Sequence, residues 1–148
     1  MDDTPQLLSG QALRPREWSL DFTCRVRQRS AMPTIRDLVT ALRRRDGVDA
    51  AIVLGRDGLL IDGASSAPLD PEGLAVHVPP LVHAAQELGV FAQRGTLGLT
   101  VLEYDRGPVV VAPLSSDAYL LVALQPSANL AALLFELRRH RSQISALV

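Results

Sequence analysis

Lysine is missing from this sequence, and all 15 of its basic residues are arginine. A Schiff-base lysine and a phosphate-loop lysine are therefore both excluded, and with them the chemistries that depend on either. Cysteine is almost as scarce: Cys24 stands alone and can close no disulfide within the chain. Aromatic residues make up 4% of the sequence against 47% hydrophobic residues in all. The core must then be built from Leu, Val, Ile and Ala, and a ring-lined ligand pocket is not expected. Neither sign of charge dominates, since the formal net charge is -1. The basic surplus that drives binding to phosphate backbones is lacking, so a protein partner is expected and nucleic acid is not. No apolar run approaches the ~20 residues that span a bilayer. The start of the chain has no basic segment leading into an apolar stretch, and the expectation is a cytoplasmic chain without membrane insertion.

What is present divides unevenly. Residues 1–33 hold Pro5, Pro15 and five of the arginines and read as an N-terminal extension. Within it Trp18, Leu20, Phe22, Cys24 and Val26 alternate with polar residues, the period of a half-buried strand, so residues 18–26 are expected either to add one strand or to stay disordered. Residues 34–148 read as a single regular domain.

The pattern in that domain is helix, hairpin, helix, three strands, helix. Thr34 and Asp37 can cap a helix whose apolar positions are Ile35, Leu38, Val39 and Leu42. Ala50 to Leu54 and Leu59 to Asp62 flank Gly55-Arg56-Asp57-Gly58, and the Asp-Gly pair supplies the positive φ angles of a tight hairpin. Asp70-Pro71 opens the middle helix, with Leu74, Val78, Leu81, Val82, Ala85 and Leu88 as its core stripe and Gly89 as its stop. Pro79-Pro80 interrupts it, and a kink or restart is expected there. Strands follow at Leu97 to Tyr104, Val109 to Leu114 and Tyr119 to Leu124, in a meander. Ser127 or Asn129 caps a last helix with Leu130, Leu133, Leu134, Leu137 and Ile144 facing inward.

This order, together with the hairpin Val53-Leu54-Gly55-Arg56-Asp57-Gly58-Leu59-Leu60-Ile61-Asp62 and the helix entry Pro126-Ser127-Ala128-Asn129-Leu130, resembles the roadblock (dynein light chain) family, and most of all its bacterial MglB-type members. The resemblance implies an α+β fold: a five-stranded antiparallel sheet with one helix on one face and two on the other. It further implies a homodimer joined through the middle helix and the adjacent strand. The function it implies is non-enzymatic: holding or regulating a Ras-like small GTPase, with the GTPase's own catalytic groups repositioned and no arginine donated. A structural scaffold subunit without effect on GTP hydrolysis is the alternative, and a small-molecule sensor is a third.

Chemistry-bearing residues do not assemble into a catalytic or metal-binding pattern. His77 and His83 are six residues apart, about 240° around a helix, and cannot ligate one metal ion from the same face. Ser115, Ser116 and Asp117 are turn residues, and Gly55, Gly58, Gly63 and Gly73 precede no phosphate-loop sequence. No catalytic residue, cofactor or metal is expected. The candidate site is instead an interface. Val76, Pro80, His83 and Glu87 fall on the outward side of the middle helix, where Val76 and Pro80 are apolar without a core to join. Leu97, Leu99 and Val101 on the adjacent strand complete the expected partner and dimer surface. A secondary basic patch is expected from Arg43, Arg44 and Arg45 with Arg138, Arg139 and Arg141, late in two helices that the family fold would place side by side.

Overall fold

The computed structural model describes residues 33–148. The alternating segment from Trp18 to Val26 lies outside the described residues. The first described helix, α1 (Ile35–Arg43), begins at a reciprocal capping box. The Thr34 hydroxyl accepts the Asp37 N–H at 3.2 Å, and the Asp37 carboxylate accepts the Thr34 N–H at 2.8 Å. Two donors that the first helical turn would leave orphaned are thus satisfied. Leu38, Val39 and Leu42 form its buried stripe.

A hairpin of β1 (Val48–Gly55) and β2 (Leu60–Ser65) follows. Its turn departs from the expected one. Only Gly58 is left-handed, at φ +86°. The Gly55 N–H donates to the Leu59 carbonyl at 2.8 Å, and the Asp57 side chain accepts the Leu59 N–H at 3.1 Å. The loop therefore spans the three residues Arg56, Asp57 and Gly58 and needs one positive φ, at Gly58.

The middle helix is broken as the proline pair requires. A short α2 (Pro71–Ala75) is capped by Asp70, whose carboxylate accepts from Glu72 and Gly73, and α3 (Val78–Phe91) restarts with Pro79 and Pro80 in its first turn. There a missing N–H costs no helical hydrogen bond. The remaining elements are β3 (Thr100–Leu102), β4 (Val109–Pro113), β5 (Ala118–Leu124), α4 (Leu130–Arg139) and α5 (Arg141–Ser145). Of the two candidate caps for α4, Asn129 serves, accepting the Ala132 N–H at 3.0 Å.

The five strands form one antiparallel sheet in the order β2-β1-β5-β4-β3. β1 and β5 are buried along most of their length, as strands covered on both faces must be. Alternation sorts the core into two layers. Ala50, Ile52, Leu54, Val111, Tyr119 and Leu121 meet Ala75, Val78 and Val82 of α2 and α3 on one face. Ala51, Val53, Val110, Ala112, Leu120 and Val122 are buried on the other, the side of α1 and α4, where Leu38, Val39, Leu42, Leu133 and Leu137 are buried.

Two further expectations need correction. The strand expected from Leu97 to Tyr104 is only Thr100–Leu102, paired as Thr100 with Val111 and Leu102 with Val109. Past Leu102 the chain turns over Gly107, whose N–H donates to the Tyr104 carbonyl at 3.0 Å. A β-carbon on Gly107 would overlap the Leu124 carbonyl oxygen, so this close approach admits only glycine. The second correction concerns the middle helix. It runs past Gly89 to Phe91, and Leu88 is exposed and not part of the core stripe, because the residues buried from α3 are Val78 and Val82, both in its first half.

Candidate partner interface

Across its 14 residues α3 carries one formally charged side chain, Glu87, whereas the 9-residue α1 carries Arg36, Asp37 and Arg43. A helix that is apolar on more than one side is normally covered on more than one side. The inner side of α3 is covered by the sheet through Val78 and Val82. Its outer side is not covered within the described residues.

The expected helix residues do come together there. Val76 is the C-cap of α2 and 58% exposed, and Pro80, His83 and Glu87 are all exposed along the following turns. His83 Nε2 and Glu87 Oε1 are 3.5 Å apart, an i,i+4 contact on the surface. The hairpin holds the start of this ridge in place: a β-carbon on Gly58 would stand 3.6 Å from Val76 Cα and 3.5 Å from Pro79 Cγ.

The same outer ridge continues further than the sequence indicated. Val90 and Phe91, three and four residues beyond Glu87, are 71% and 87% exposed, and Leu88 beside them is also exposed. These residues were missed because Gly89 reads as a helix stop. The signal was the dense apolar run Leu88-Gly89-Val90-Phe91, which has no solvating residue in it.

The strand residues behave differently. Leu97 packs against the core layer beneath α3. Leu99 lines a cavity with Leu137 and Ile144 on the other face, and Val101, half-buried, pairs with Val110. Strand alternation would put all three on one face; Leu99 lies on the Val101 side, whereas Leu97 precedes β3 and packs on the other. Among the described residues β3 ends the sheet, and what it offers outward there is a backbone edge.

The basic patch also divides. Arg43 donates to the Val48 carbonyl, and Arg45 forms an ion pair with Glu136 of α4, their side chains 18% and 14% exposed. Arg43 thus fastens the end of α1 to β1, and Arg45 fastens the turn after it to α4. Arg44, Arg138, Arg139 and Arg141 remain exposed. Among the described residues, no helix is long and apolar enough to cross a membrane.

The Roadblock/LC7 domain model matches residues 34–124. No curated protein matches the sequence. Among solved structures, a Roadblock/LC7 domain from Streptomyces avermitilis is similar at a TM-score of 0.67 and 22% identity, covering 77% of this chain and 97% of that one. Myxococcus xanthus MglB matches at a TM-score of 0.64 and 15% identity over 72% of this chain and 87% of its own. The gliding protein MglB from Thermus thermophilus matches at 0.65 and 16% identity over 99% of this chain and 97% of its own. The element order, the sheet topology and the family match over most of the described residues agree, and the chain belongs to the Roadblock/LC7 domain family.

Proposed function

We propose that this chain is a non-enzymatic homodimeric regulator or adaptor that binds a Ras-like small GTPase and modulates its cycle, using the outer ridge of α3 as its association surface. The observation that carries the reading is the composition and exposure of that ridge. Pro80, Val90 and Phe91 present apolar surface on a helix whose only formal charge is Glu87, and exposed Val76, the C-cap of α2, stands just before it. An exposed apolar strip of this kind on a folded domain marks an interaction site. The resemblance to MglB-type proteins supplies the GTPase as partner, and one solved MglB with a tetrameric arrangement supports self-association as a habit of the fold.

Regulation in this reading works by contact. The partner GTPase brings the nucleotide and the catalytic groups, and the ridge contributes desolvated apolar area with His83 and Glu87 to set register. The test uses purified Ras-like GTPases loaded with GDP or a non-hydrolysable GTP analogue, captured on the immobilised chain, with phosphate release followed in parallel. Nucleotide-dependent capture that Val76→Glu abolishes supports the regulator. Capture without any change in hydrolysis or exchange selects the adaptor, and capture in neither nucleotide state removes the GTPase from the account.

A further inference from the structure

A cavity of about 430 Å³ opens on the sheet face opposite α3, between the end of the last helix pair and the approach to β3. Its apolar lining includes Leu99, Leu114, Leu137 and Ile144, and Arg138 and Arg141 are the charged residues that line it. The helix break at His140 preserves the spacing that builds this wall. Leu137, Arg138, Arg141 and Ile144 stand at i, i+1, i+4 and i+7, and all four line the cavity. On the opposite wall the backbone runs close to the guanidinium, since a β-carbon on Gly98 would meet Arg141 Nη1 at 3.6 Å.

The two guanidinium groups set the chemistry. Unlike Arg45, which is paired to Glu136, neither Arg138 nor Arg141 has an ion pair among the described residues. Two cations left unpaired beside an apolar hollow complement a carboxylate attached to an apolar body. We propose that this cavity is a docking site for an acidic peptide segment of a partner protein, which seats a bulky apolar side chain against Leu99, Leu137 and Ile144 and places an adjacent Asp or Glu on Arg138 and Arg141. A nucleic acid fits poorly, because the lining is apolar and the chain has no basic surplus. A small ligand would find no charged group other than the guanidinium pair to fix its orientation. The site lies across the sheet from the α3 ridge and does not rest on the GTPase reading. Occupied together, the two surfaces would let one chain join two partners.

The test is selection of a displayed random peptide library on the full chain, with counter-selection on the Arg138→Gln/Arg141→Gln variant. Both arginines are exposed on helix surfaces, so this variant keeps its fold, which a thermal melt verifies. Enriched peptides are expected to carry a large apolar residue next to Asp or Glu. They should bind the wild-type chain about tenfold to a hundredfold more tightly than the variant, the range expected for losing one or two charge-assisted contacts. Replacing the apolar residue of such a peptide with Ala should abolish binding, and Val76→Glu in the protein should not affect it. The proposal is overturned if no peptide is enriched, if the enriched peptides lack carboxylates, or if they bind the double variant equally well. Arginine-dependent sedimentation with phosphatidylserine vesicles in the absence of peptide binding would also overturn it, in favour of a lipid surface.

Discussion

Gly58 packs beneath Val76: a β-carbon added to Gly58 would stand 3.6 Å from the Val76 Cα. The turn of the first hairpin is thus the seat on which the joint between α2 and α3 rests, and the helix ridge takes its position from it. Gly58 sits at φ +86°, so its replacement is costly through the backbone even though the surrounding contacts are ordinary. Gly58→Ala is expected to destabilise the domain by about 1–2 kcal/mol, the penalty of a left-handed L-residue. Chemical denaturation would measure it, and a loss below a few tenths of a kcal/mol would mean that the turn relaxes freely.

The Arg45–Glu136 pair joins the turn after α1 to α4 in a largely buried setting. Breaking a buried pair from one side costs roughly 3–5 kcal/mol, and the residual exposure here reduces that. Glu136→Gln is therefore expected to cost about 2 kcal/mol and to lower the thermal midpoint by roughly 5–10 °C. A midpoint unchanged within error would place this pair with ordinary surface ion pairs.

Phe91 distinguishes a core from an interface. Were it part of the intramolecular core, truncation would cost about 3–5 kcal/mol. At 87% exposure it contributes little to the isolated fold. Phe91→Ser is expected to change the stability of the separated domain by within about 0.5 kcal/mol while weakening self-association. Sedimentation at several concentrations reads the association, and melts at matched concentrations read the stability, because a dimer's apparent stability rises with protein concentration.

Much of this architecture was legible from local chemistry. The Thr34–Asp37 capping box, the Asn129 cap and the restart at Pro79-Pro80 each depend on residues within a few positions of one another, and each stands where the sequence placed it. The failures arise where the outcome depends on distant chain. Periodicity could not tell that the sheet covers α3 only as far as Val82, so Leu88 read as core. Nor could it tell that Arg45 meets Glu136 while Arg138 and Arg141 line a cavity, because the charge run looks the same in both cases. The length of β3 was overestimated because apolar residues continue upstream of the three that find partners on β4.

The described domain begins at its own cap. A chain starting at Met32 retains Thr34, Asp37 and every strand of the described sheet, so deletion of residues 1–31 is expected to leave a cooperatively melting protein. An insoluble or non-cooperative product would assign an essential part of the fold to the upstream residues.

The central claim, that the outer ridge of α3 is an association surface, is tested most directly by light scattering of the purified full chain, alone and as Val76→Glu. At micromolar concentration the wild type is expected at about 32 kDa, twice the 16.0 kDa of one chain. An unpaired charge forced into a desolvated contact costs several kcal/mol, so Val76→Glu is expected near 16.0 kDa with its fold intact. A wild-type mass of 16.0 kDa, or a variant that dimerises as tightly as the wild type, would contradict the account.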